Sequence, residues 1–236
     1  MYMKTILVVG CNGQIGQTLI ENLNDKYKII GCDIVVIENC SFEYYMCDAS
    51  QYEQLEIIFN KNKIDTVINL AGMREVSNIP SLEDYYKMVD CYLNSTYLLL
   101  TLMQKYNVKK MILASTNHVT DYYEDNGYSI LGREISTKDY PISKGVYGTL
   151  KLAAENVCRV FNINYNIKTV VFRIGTYRKH YVDKQVNNRW NRTILKTEDL
   201  LRYFEKAIEK DCDFEIYYLV SDNINKPWDT NNLKEL

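Results

Sequence analysis

Proline and histidine are nearly missing from this chain, whose 236 residues include three prolines and two histidines. No Pro-, Gly- or Ser-rich linker, low-complexity tract or internal repeat divides it. The two histidines, His118 and His180, stand apart from any cluster of carboxylates or thiolates, which removes a metal centre from expectation. The seven cysteines form no C-x-x-C pair and several fall in strand-like runs, so they read as buried free thiols of a reducing cytosol. Neither sign of charge dominates: 28 basic and 30 acidic residues give a formal −2 with no basic stripe, and nucleic acid is not an expected partner. No apolar run reaches the length of a membrane span and no leader-like segment is seen, so a cytoplasmic protein without a membrane partner is expected. The abundant tyrosine, asparagine, lysine and isoleucine run evenly along the chain and read as a coding bias.

Length and a 47% hydrophobic content fit a single domain over residues 1–236 with a sizeable core. The most informative stretch is KTILVVGCNGQIG, from Lys4 to Gly16. A β-branched run too short for a membrane breaks into Gly10, Gly13 and Gly16, and a helix-like segment follows at once. Strand, glycine turn and helix present unpaired helix N–H groups to a pyrophosphate, with glycine wherever a Cβ would collide with it. The spacing is G-x-x-G-x-x-G, so an ordinary tight turn is the competing reading. About twenty residues on, a second strand ends in Asp33, placed to accept hydrogen bonds from adenosine ribose hydroxyls. No arginine or lysine follows closely, which favours NAD over NADP.

Apolar runs at 4–9, 28–33, 65–70, 110–115, 168–174 and 215–220 alternate with helix-like segments near 14–24, 52–60, 82–106, 147–165 and 197–209. This alternation predicts an α/β fold: a Rossmann-like, doubly wound parallel sheet covered on both faces, with ligands at the carboxyl ends of the strands. Two long irregular stretches, 117–145 and 177–196, have the length of binding loops or lids. Substrate-side elements are expected mainly from 117–146 and 176–236, and the polar tail from Ser221 onward reads as only partly ordered.

Tyr147 and Lys151 stand at i and i+4, on one face of a helix. A cation beside a phenol stabilises the phenolate and makes tyrosine a usable general base near neutral pH. With 21 tyrosines, roughly two Y-x-x-x-K matches arise by chance, and three occur. Tyr106/Lys110 straddles a helix–strand junction, and Tyr140 precedes Pro141, which disfavours helical geometry. Tyr147/Lys151 instead opens the strong helix former Leu152-Ala153-Ala154-Glu155. The strand before it ends in Ser115-Thr116-Asn117-His118, offering a hydroxyl at the sheet edge, or merely a polar strand end with local side-chain bonds.

With these residues in view, the chain resembles the extended short-chain dehydrogenases/reductases, the NAD-dependent epimerase/dehydratase group. The resemblance implies that Gly10, Asn12, Gly13, Gln14, Ile15 and Gly16 hold the pyrophosphate and Asp33 the ribose. It implies that Asp48 and Ala49 contact adenine, and that Leu70, Ala71, Gly72 and Ile174 lie along the cofactor. Thr116, with Ser115 as fallback, takes the catalytic hydroxyl slot; Tyr147 and Lys151, which also meet the cofactor, take the others. Within the group the chain is similar to uronate dehydrogenases, through ASTNHVTDYY, YGTLKLAAEN, FRIGTY and the run from Arg189 to Thr193. That likeness implies an arginine, Arg189, on a substrate carboxylate, a sugar pocket lined by Asn117 and His118, and Thr176 at the substrate or cofactor. Met73-Arg74 and Tyr92 depart from the group's usual serine and asparagine, and Arg74 is either a second anionic anchor or a solvated loop charge. The expectation is NAD-dependent oxidation of a small sugar or sugar acid by a homodimer. The alternatives are a nucleotide-sugar epimerase or dehydratase that retains NAD, and a non-catalytic dinucleotide-binding regulator. Only about sixty residues follow Gly175, which is short for the part that grips a nucleotide sugar.

Overall fold

A computed structural model describes residues 2–37, 40–73, 77–180 and 189–236. Seven strands, β1 (Thr5–Val9), β2 (Lys28–Asp33), β3 (Glu43–Met46), β4 (Thr66–Asn69), β5 (Lys110–Thr116), β6 (Lys168–Ile174) and β7 (Phe214–Leu219), form one sheet. Their order is β7-β6-β5-β4-β1-β2-β3 and every pairing is parallel. The strand order reverses at β1 and β4, so their carboxyl ends open a crevice there.

Alternation along each strand divides the core between two faces. Ile6 and Val8 of β1, Ile112 and Ala114 of β5 and Phe172 of β6 pack with helices α1 (Gln14–Leu23) and α7 (Thr197–Glu209). Leu7 and Val9, Met111 and Leu113, and Val171 pack on the other side. There they meet α2 (Tyr52–Lys61), α4 (Ser95–Lys105) and α5 (Val146–Tyr165). Burial on both faces explains why these strands are continuous apolar runs.

Three features differ from expectation. The four-residue edge strand β3 went unforeseen because its sequence, Glu-Tyr-Tyr-Met, is polar and aromatic and only half buried. The helix expected across 82–106 is instead α3 (Leu82–Met88), a π turn over Val89–Asn94, and then α4. The tail is packed rather than loose: Trp228 is fully buried and stacks on Tyr218 at 6.0 Å, while Ile135 donates its amide to Pro227 O at 2.7 Å. A single large apolar anchor outweighs the polar residues around it.

The long stretches carry local structure. Asn117–Tyr123 is a pair of 3-10 turns that meet at a kink at Thr120, Glu124–Asp125 pairs with Tyr128–Ser129 as a hairpin, and Thr176–Tyr177 pairs with Ile194–Leu195 after the short helix α6 (Arg189–Thr193). All seven cysteines are free thiols, five of them buried. No helix among the described residues is long and apolar enough to cross a membrane.

Candidate active site

A cleft of about 480 Å³ lies over the carboxyl ends of β1, β4, β5 and β6. It runs from Gly10, Gly13, Gln14, Ile15 and Gly16, past Leu70, Ala71 and Gly72, to Thr116, Tyr147 and Lys151. Asn117, His118, Ile174, Thr176 and Arg189 line it as well. Residues spread across more than 170 positions of sequence thus meet at one opening.

The glycines have separate reasons. Gly10 sits at φ +76°, where a Cβ would lie 2.9 Å from Leu70 O. At Gly16 a Cβ would lie 2.5 Å from Cys11 O, so α1 could not seat against the end of β1. Gly13 starts α1 with no side-chain cap, and no acidic residue stands in the first turn. The helix therefore keeps its N-terminal amides and positive dipole end for an anion. This cradle fits a dinucleotide pyrophosphate. Gly16→Ala is expected to lower stability by about 1–3 kcal/mol through overpacking and to weaken NAD binding at least tenfold, read by urea denaturation and NAD titration.

Asp33 lies at the end of β2, where its carboxylate accepts the Asn12 amide at 2.9 Å and holds the turn against the strand. Asp48 accepts the Ser50 amide at 2.9 Å in the turn before α2. Asn12, Asp33, Asp48 and Ala49 lie outside the cleft lining, beyond its glycine end. Arg74 lies outside the described residues.

At the other end, α5 carries both Tyr147 and Lys151. Gly148 between them lets the helix press against the His118 carbonyl and Ser143, which any Cβ would overlap. Lys151 donates to Ala114 O at 2.9 Å and Ala71 O at 3.2 Å, tying α5 to the ends of β5 and β4. Burial lowers its ammonium from the ordinary lysine value to about 8, with Cys91 and Glu155 opposing that fall. The Tyr147 ring stands edge-on to Tyr92 at 5.4 Å and to His118 at 5.8 Å. Neither chance Y-x-x-x-K match assembles this way: Tyr106 ends α4 while Lys110 opens β5, and Tyr140 is exposed on an irregular segment.

Strand alternation separates the two candidate hydroxyls. Ser115 Oγ donates to the buried Glu155 carboxylate. Thr116 Oγ1 accepts the His118 amide at 3.2 Å at the start of the 3-10 turn. Asn117 is 2% exposed and its Nδ2 has no partner among the described residues, a buried donor on the cleft wall. His118 Nδ1 pairs with Asp121 at 2.9 Å, which fixes the ring.

Arg189 reaches the cleft with its fork already engaged: Nε lies 3.0 Å and Nη2 2.9 Å from the buried Glu124 carboxylate. The expected grip on a substrate carboxylate therefore competes with an internal one. A carboxylate as buried as Glu124 needs a paired cation. Thr176 shares its hydroxyl with Thr193 at 2.9 Å.

Gly148 and the Glu155–Arg173 pair were not among the residues expected from the sequence, and Tyr92 stood there only as a departure from the group's asparagine. Glu155 stands four residues beyond Lys151 on α5, a spacing that was available as a signal. The partnership of Tyr92 with Lys151 had no local signal.

The family model of the NAD dependent epimerase/dehydratase family matches residues 6–204. YtbQ of Bacillus subtilis (strain 168) is 36% identical over 231 residues, covering 96% of this chain and 89% of its own. The NAD-dependent glucose-6-phosphate dehydrogenase of Haloferax volcanii is 25% identical over 242 residues, with 94% and 87% covered. The crystal structure of uronate dehydrogenase from Agrobacterium tumefaciens superposes with a TM-score of 0.83 at 20% identity, over 100% of this chain and 83% of that one. The chain therefore belongs to the NAD dependent epimerase/dehydratase family and is an NAD-dependent enzyme of the extended short-chain dehydrogenase/reductase type.

Proposed function

We propose that this protein oxidises a hydroxyl of a small sugar or sugar acid with NAD, in the manner of a uronate dehydrogenase. The observation that carries this reading is the convergence of Thr116, Tyr147 and Lys151 at the far end of a cleft that begins at the uncapped glycine turn. NAD bound along that cleft supplies the acceptor for the hydride that leaves the substrate carbon. The chain's own residues do the rest. Tyr147, as phenolate, takes the hydroxyl proton; the Lys151 ammonium favours that phenolate; Thr116 orients the reacting oxygen. Asn117 Nδ2 and the His118 ring supply polar groups for the remaining hydroxyls. Asp33, Asp48 and Ala49 serve the adenosine end.

Purified protein mixed with NAD and a panel of galacturonate, glucuronate, neutral hexoses and hexose 6-phosphates is expected to build the NADH absorption band with at least one sugar acid. No turnover with any member would retire the reading. Tightly retained NAD with binding of a UDP- or TDP-sugar would replace it with epimerase or dehydratase chemistry. The exposed Tyr97, Val160 and Ile163 along α4 and α5 support a homodimer formed through these helices, which sedimentation tests.

Lys151 also makes the stability of the protein depend on pH. Its native ammonium titrates at about 8, below the ordinary value of 10.5 held in the unfolded chain. Between these values the unfolded state binds more protons, so stability rises with pH across the window. Against Lys151→Met, the wild type is expected to gain stability from pH of about 8 upward, and urea midpoints at neutral pH and at about pH 9.5 check this. A gap that does not move means the native lysine stays charged throughout.

A further inference from the structure

The π turn at Val89–Asn94 places one residue against both members of the tyrosine–lysine pair. Lys151 Nζ lies 4.5 Å from the centre of the Tyr92 ring, and the same ring meets Tyr147 edge-on at 5.4 Å. Tyr92 is 3% exposed, and its hydroxyl accepts the Met73 amide at 3.3 Å. We propose that Tyr92 is a positioning residue whose ring face holds Lys151 as an ammonium and whose edge and hydroxyl set the placement of Tyr147 and of the turn after β4.

The backbone is built for this insertion. The Ser95 amide reaches back five residues to Asp90 O, opening the helix by one residue. The hydroxyls of Ser95 and Thr96 then donate to the Cys91 and Tyr92 carbonyls, at 2.5 Å and 2.7 Å. Asn69 Nδ2, at the end of β4, donates to Thr96 Oγ1 at 3.1 Å and anchors the wide turn to the sheet. Such π turns inside helices recur at functional sites. A desolvated ammonium over an aromatic face gains far more than one in water. Around Lys151 the other groups are the Cys91 thiol on the π turn, the Glu155 carboxylate one turn along α5 with Arg173 behind it, and the Tyr147 phenol. A substitution at residue 92 leaves the chemical identity of each of these groups unchanged and removes only the ring.

This inference rests on the proposed function only for its catalytic meaning; the protonation of Lys151 belongs to the protein without cofactor or substrate. Lysine labelled at Cε, with the Lys151 resonance assigned by its loss in Lys151→Arg, reports the midpoint directly. Tyr92→Leu is expected to lower that midpoint by about 0.5–1.5 pH units, whereas Tyr92→Phe, which keeps the ring, stays within about 0.3. Should Tyr92→Leu fail to fold, fluorinated phenylalanines at position 92 keep the shape while draining the ring face. Their midpoints are expected to fall with each added fluorine. A folded Tyr92→Leu with an unmoved midpoint, or a flat fluorinated series, overturns the proposal. A moved midpoint in a protein that oxidises no sugar leaves this inference standing and removes only the substrate reading.

Discussion

Phenylalanine in place of Tyr147 is expected to lower kcat by about 10²–10⁴ while leaving NAD affinity within a few fold and the urea midpoint unchanged. The substitution removes one oxygen and keeps the ring, so the edge contacts with Tyr92 and His118 at 5.4 Å and 5.8 Å persist. Gly148 still lets α5 press on the 3-10 turn, and Lys151 still donates to Ala71 and Ala114. On the proposed mechanism, what disappears is the phenol that takes the substrate proton beside the buried Lys151 ammonium. The loss should appear in kcat and kcat/KM together, because proton transfer is made in the transition state. Steady-state kinetics on whichever sugar the panel identifies, alongside NAD titration of the same variant, separates the outcomes. Full turnover would move the general base elsewhere, with His118 the next candidate on the cleft wall. A collapse of NAD affinity would mean that the hydroxyl serves the cofactor rather than the proton.

The framework of this site was legible in the sequence to the extent that burial wrote it there. β2, β6 and α7 fall on the expected residues because strands covered on both faces are continuous apolar runs and an amphipathic helix has a clear period. The glycine turn was legible for a steric reason, since Gly10 and Gly16 each face a carbonyl that no side chain could approach. Choosing among three tyrosine–lysine matches needed only the local test of whether both residues share a helix. What stayed hidden depends on partners far apart in the chain. Arg189 looked like a free guanidinium, and Glu124, 65 residues away, holds it. Tyr92 looked like a lost asparagine, and its meaning comes from Lys151 on another helix. The tail looked polar and only partly ordered, and its order comes from Trp228 stacking on Tyr218.

Arg173→Met is expected to cost about 3–5 kcal/mol of stability, although it keeps an apolar side chain of similar length in the core. Arg173 and Glu155 have side chains 3% exposed, and the guanidinium gives Nη2 to Glu155 at 2.8 Å and Nε at 3.1 Å. Ser115 donates to the same carboxylate, and Arg173 Nη1 reaches the Tyr218 hydroxyl at 3.3 Å, which shares a proton with Thr120 at 2.7 Å. The chain of bonds runs from α5, beneath the cleft, to the 3-10 turn that carries Asn117 and His118. Removing the arginine leaves a buried carboxylate without its cation, and that uncompensated charge is the larger part of the loss. The double variant Glu155→Leu/Arg173→Met, which removes both charges, is expected to recover most of the stability. Urea denaturation of the two single variants and the double measures the coupling directly. A single-variant loss below about 1 kcal/mol would mean that water reaches the pair. Recovery of stability without recovery of kcat would assign the pair to aligning Ser115, Thr116 and the 3-10 turn. In that case the charges are kept for the geometry they impose on the cleft, since two apolar side chains would hold the core equally well.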